Sequence, residues 1–200
     1  MLGLIVAGLL LVACTTDSEP TPLDPTPAPT AAPATPTEEP SSPEPTSEPG
    51  PGPTPWPEPT KPAAMDRDDI EGAIAAAEYF LALYPYVYAT GDLDAWREMS
   101  HPECVFCQST VDNVTQIYAD GGYALGSEFT VEDVGASPPD DEYAHYRIGI
   151  YGSEAPGAVY STDGKVISRT DGGTGAYHFG VLRADQSWQI RGVFGEDEEK

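Results

Sequence analysis

The chain is 200 residues long, sets nine basic against 33 acidic residues for a net charge of −24, and places 17 of its 22 prolines between Thr15 and Pro62. With a short apolar leader and that proline-rich stretch set aside, about 135 residues remain, enough for one domain around one core. That remainder still holds 25 acids against eight bases, a field that repels phosphate backbones and excludes nucleic acid as a partner.

Residues 2–13 (LGLIVAGLLLVA) form an unbroken apolar run of twelve. As a helix it would reach roughly 18 Å against a hydrocarbon core of about 30 Å, too short to span but right for the core of a signal peptide. It ends in Leu11-Val12-Ala13-Cys14, which resembles the bacterial lipobox. The resemblance implies cleavage after residue 13, a diacylglycerol thioether on Cys14 and a cell-membrane anchor on the extracytoplasmic face. No Lys or Arg precedes the run, whereas signal peptides usually begin with positive charge; the expectation is a translation start upstream of Met1.

From Thr15 to Pro62 the sequence is Thr, Pro, Glu, Ser and Ala, with Trp56 almost alone as a large apolar residue. Such a composition cannot bury enough surface to offset ordering entropy, so residues 14–64 are expected to be a disordered, lipidated stalk. Proline density favours polyproline II at about 3.1 Å per residue, giving fifty residues a reach on the order of 150 Å. The Thr and Ser content suits O-glycosylation.

The domain is expected over 65–195, with 196–200 a solvated acidic tail. Asp66 is the expected cap of a first helix, followed by acids at Asp68, Asp69 and Glu71 that suit a first turn. Apolar residues recur at Ile70, Ile74, Ala77, Phe80, Leu81, Tyr84 and Tyr88, a 3.6-residue period. A second stripe of Tyr79, Leu83 and Tyr86 buries the helix on more than one side. Pro85 should kink it, and Gly91 should end it. Asp92 then caps a short helix that turns Leu93, Trp96 and Met99 inward, and a third helix runs from about Glu103 to Ala119. Beyond Gly122 the period falls to two: Phe129/Val131, Tyr146/Ile148/Ile150, Phe179/Val181 and Trp188/Ile190 alternate with polar or small residues. Turn signals at 137–142, 162–165, 170–175 and 184–186 separate these strands. Helices followed by antiparallel strands give an α+β fold with the helices on one face.

The segment 75–123, with Thr90-Gly91-Asp92, the SxPxCxxC run Ser100–Cys107 and the YxxGG turn Tyr118–Gly122, followed by EFTVEDV and a last strand opened by Trp188, resembles an uncharacterised family of actinobacterial lipoproteins across residues 72–194. By element order alone the domain is also similar to the nuclear-transport-factor-2-like (NTF2-like) cone. That analogy implies three helices packed on one curved antiparallel sheet around a possible cavity.

Among residues able to carry chemistry, Cys104 and Cys107 come first. Outside the cell a CxxC pair at a helix start should be oxidised, clamping the corner between the second and third helices. A redox role would need thiolate stabilisation at that helix terminus, but the strand that precedes a thioredoxin-type motif is missing, and Val105 and Phe106 between the cysteines are bulky. A metal held by His101, Cys104 and Cys107 would have its ligands spread over roughly 240° of helix arc with no fourth in sight. His145 and His178 alternate opposite the apolar residues and read as solvent-facing. Asn113-Val114-Thr115 is a glycosylation sequon by pattern only. Tyr84, Tyr88, Trp96, Tyr146 and Trp188 are the candidate pocket lining. No cofactor, metal or catalytic residue is assigned. The leading expectation is a non-enzymatic module that binds a small apolar ligand or an envelope protein. An isomerase- or cyclase-type enzyme with a buried Tyr and carboxylate stands second, and a thiol–disulfide protein third.

Overall fold

The computed structural model describes residues 55–195. The signal peptide 1–13, the lipidation site Cys14, the stalk as far as residue 54 and the tail 196–200 lie outside the described residues. Chain order gives three helices, α1 (Ile70–Thr90), α2 (Asp94–Met99) and α3 (Val105–Ala119), then seven strands. The strands are β1 (Tyr123–Gly126), β2 (Phe129–Ser137), β3 (Tyr146–Glu154), β4 (Gly157–Tyr160), β5 (Val166–Thr170), β6 (Gly173–Ala184) and β7 (Ser187–Gly195).

The described segment begins before the expected domain start. Trp56, read from sequence as part of the stalk, is half-buried against the core. Residues Ala63–Asp66 form one turn of 3-10 helix in which Met65 is buried and its carbonyl accepts the indole N–H of Trp188 at 2.9 Å. That turn consumes Asp66, the expected cap. Asp69 caps α1 instead, its carboxylate accepting the Gly72 N–H.

α1 carries Ala73, Ala76, Ala77, Phe80, Leu83 and Val87 at no more than 1% exposure, and the small alanines let the neighbouring layer approach closely. The helix continues past Pro85 to Thr90. Gly91 closes it with φ +75°, a left-handed conformation that costs glycine little. Asp92 then accepts the Asp94 N–H through Oδ1 at 3.1 Å and the Tyr86 hydroxyl through Oδ2 at 2.9 Å, tying the start of α2 back to α1. Leu93, Trp96 and Met99 are buried as expected. From the sheet, Ile148, Ile150, Phe179, Val181, Trp188 and Ile190 complete this core. The alternation in β2 is reset between Val131 and Asp133, where the register with β3 shifts. Beyond the shift Val134 and Ala136 pack inward, while Val131 before it is exposed.

The α+β class with three helices holds, but the single curved sheet of an NTF2-like cone does not. The strands divide into two antiparallel sheets, β2-β3-β6-β7 and β1-β4-β5. The cause is a line of ladder-breaking residues that falls at one level across the chain. Gly126 and Ser127 have φ +92° and +62° between β1 and β2, and Gly172 and Gly173 have φ +71° and +152° between β5 and β6. Pro156, which has no N–H to donate, sits between β3 and β4. The registers end there on both sides: Phe129 pairs Glu154 and Glu154 pairs Gly173 in one sheet, while Gly126 pairs Gly157 and Gly157 pairs Thr170 in the other.

Candidate functional site

α1 and α3 lie against the two sheets so that a small recess and a wider groove meet beside Tyr84. The recess, about 60 Å³, is walled by Phe80, Leu81, Tyr84, Trp96 and Phe106 from the helices and by Phe129, Glu154, Tyr177, Phe179 and Val193 from the four-stranded sheet, with Ser127 at the seam. The groove, about 680 Å³, runs between α3 and the three-stranded sheet and shares Tyr84 and Ser127 with the recess. Tyr88, Asn113, Gln116 and Ile117 line its helical side, and Leu125, Ala158, Val159, Ile167 and Arg169 its sheet side.

The helical wall is an aromatic cluster. Phe80 stacks on Trp96 with centroids 3.9 Å apart, and Phe106 lies 5.9 Å from Tyr84 and 6.2 Å from Trp96. The Trp96 indole N–H is satisfied by the Cys107 carbonyl at 3.1 Å, which fixes the ring plane. Opposite, Phe129 meets Tyr177 edge-on at 5.4 Å. Tyr177 donates its hydroxyl to Glu154 Oε2 at 3.0 Å. Burial, and then the neighbouring Glu154 charge, push the Tyr177 phenol up to about 12. Tyr84 is held well above its ordinary value, first by burial and then by Tyr88, with Glu154 and Tyr177 adding to it. Both phenols are therefore neutral donors at physiological pH.

Of the five residues expected to line a pocket, the structure brings Tyr84, Tyr88 and Trp96 together. Tyr146 and Trp188 sit elsewhere. They meet edge-on at 5.6 Å and bond the carbonyls of Asp68 and Met65, fastening the segment before α1 to the sheet. Glu154 and Tyr177 were missed, although their signal was present. Glu154 has the parity of Ile148 and Ile150 along β3, and Tyr177 that of Phe179 and Val181 along β6. Extended two and four residues, the same alternation points both into the recess.

Cys104 and Cys107 form the expected disulfide, and both are fully buried. Cys104 caps α3, its sulfur accepting the Cys107 N–H at 3.2 Å. The adjoining His101 donates its N–H to the Ile190 carbonyl of β7 at 3.0 Å. The pair thus fixes the corner that presents Phe106 to the recess, and burial shields the sulfurs from an exchanging thiol. His101 Nδ1 accepts the Glu103 N–H at 3.1 Å. His145 lies over Gly180 and edge-on to Tyr143 on the four-stranded sheet, and His178 is exposed; neither lines the recess or the groove.

A family model covers residues 44–193 of the chain. The chain belongs to the family of unknown function DUF6318. The match takes in Trp56 and the described elements as far as Val193 in β7. No curated protein matches the chain. Among solved structures, the intermembrane-space region of the chloroplast protein ARC6 is similar at 10% identity and a TM-score of 0.49, over 64% of this chain and 97% of that one.

Proposed function

We propose that this DUF6318 chain is a lipid-anchored extracytoplasmic binding module whose ligand lies in the groove with one end in the aromatic recess. The observation that carries the reading is the continuity of the two spaces through Tyr84 and Ser127. An apolar-walled cleft of that size with a few convergent polar groups is the usual form of a small-molecule site. The lipobox at Leu11–Cys14 and the proline-rich stretch after it support tethering outside the cell. Among the described residues no helix is long and apolar enough to cross a membrane; the membrane contact of this proposal is a lipid on Cys14. The Tyr177–Glu154 pair is the arrangement nearest to acid–base chemistry, but the phenol keeps its proton up to about pH 12 and donates it to the carboxylate as a hydrogen bond. The mostly apolar lining of the cleft favours binding over catalysis.

An apolar naphthalene fluorophore titrated into the full-length chain tests the proposal. Saturable blue-shifted emission is expected, and Ala158→Trp, which fills the groove from the middle strand of the small sheet, should abolish it. Equal binding by the wild type and by a still-folded A158W variant would remove the groove as the site.

A further inference from the structure

We infer that the recess selects a positively charged head group, an alkylated ammonium carried by an organic ligand whose remainder lies in the groove. The inference rests on the binding reading above and adds the chemical class of the ligand. Seven of the residues lining the recess are aromatic on facing walls, Phe80, Tyr84, Trp96 and Phe106 against Phe129, Tyr177 and Phe179. Aromatic faces carry negative potential and attract a cation held within about 6 Å of the ring centroid. Tyr84, Trp96 and Phe106 lie 5.9–6.2 Å apart as a triangle of rings, so one small group can contact several of them at once.

Glu154 supplies the second half of the argument. It is the one charged residue among the described residues that line the recess. It accepts the hydroxyl of neutral Tyr177, and no cationic side chain is among the described residues that line the recess, so its charge is not cancelled within the site. An anion entering the recess would be repelled by this carboxylate, and a neutral group would leave it uncompensated. A cation would be attracted by the carboxylate and by the rings together. Size agrees with this. The 60 Å³ recess could hold roughly four waters, the scale of an ammonium bearing a few methyl groups. The net charge of −24 also raises the local concentration of cations around the molecule.

The test displaces the bound fluorophore from the full-length chain with choline, which carries a trimethylammonium group, and with its uncharged carbon isostere 3,3-dimethyl-1-butanol. Choline is expected to displace it at concentrations lower by about tenfold. Glu154→Gln should bring the affinities of choline and its isostere together, read directly by calorimetry, and Tyr177→Phe should keep most of the preference. If the isostere competes as well as choline on the wild-type chain, the charge selection is overturned and the groove reading survives. If the fluorophore does not bind at all, and calorimetry detects neither alcohol, the groove reading fails and the inference falls with it.

Discussion

Tyr177 and Asp140 show how opposite environments move two ionisable groups. Tyr177 is half-buried and bonded to Glu154, and its phenol is raised from 10.0 to about 12. A raised value means the folded chain holds the proton more tightly. The associated stability is complete below about pH 10 and is lost as pH climbs toward 12. Absorbance titration of tyrosinate should show a late class near pH 12, and Glu154→Gln should lower one member of that class. It should not return that member to 10, because burial is the larger cause. Asp140 is exposed in the β2–β3 loop, and Arg147 above all draws its carboxyl down from 3.8 to about 2. The same carboxylate accepts the N–H groups of Glu142 and Tyr143 at 3.0 and 2.8 Å. Here the stabilisation is present above about pH 4 and is lost as pH falls toward 2. Amide protection in residues 140–145 is expected to fall over that window, and Arg147→Gln should move its onset to higher pH.

The elements that sequence reading recovered are those whose sides differ strongly in polarity. α1 and α2, the buried parities of β3, β6 and β7, and the stops at Gly91 and Gly121-Gly122 all follow from apolar spacing and turn chemistry. β1, β4 and β5 did not emerge. They have four, four and five residues, and all of β5 is exposed, so no alternation marks them. The division into two sheets was hidden for a related reason: each breaker reads locally as a turn, and only pairing reveals that Gly126, Pro156 and Gly172 fall in line. The site was legible in part, because the helical wall follows helix periodicity whereas its carboxylate sits at the last residue of a strand. At the α2–α3 corner, the disulfide closes so short a loop that replacing both cysteines by serine should cost only about 2 kcal/mol in urea unfolding. Trp96→Ala removes a fully buried indole and should cost about 3–5 kcal/mol. A reversal of that order would mean the corner depends on its covalent clamp more than on its packing.

At the scale of the whole molecule, an anchor, a spacer and a binding domain form one proposed arrangement. A lipid on Cys14 would hold the chain at the membrane, and the roughly 40 proline-rich residues between it and the described fold, at about 3.1 Å each, would carry the groove on the order of 120 Å into the envelope. Membrane fractionation of a Cys14→Ser chain tests the anchor. Loss from the membrane fraction with the domain still folded is expected, whereas unchanged retention would place the attachment elsewhere.

The central claim is that the recess and groove form an occupied binding site, and a crystal structure of the chain soaked with a trimethylammonium amphiphile tests it most directly. The expected density has its head group between Tyr84 and Tyr177, beside Glu154, and its tail along Ala158 and Ile117. A recess closed by an inward-turned Tyr84 or Phe106, with the amphiphile seated only on other surfaces, would contradict the claim.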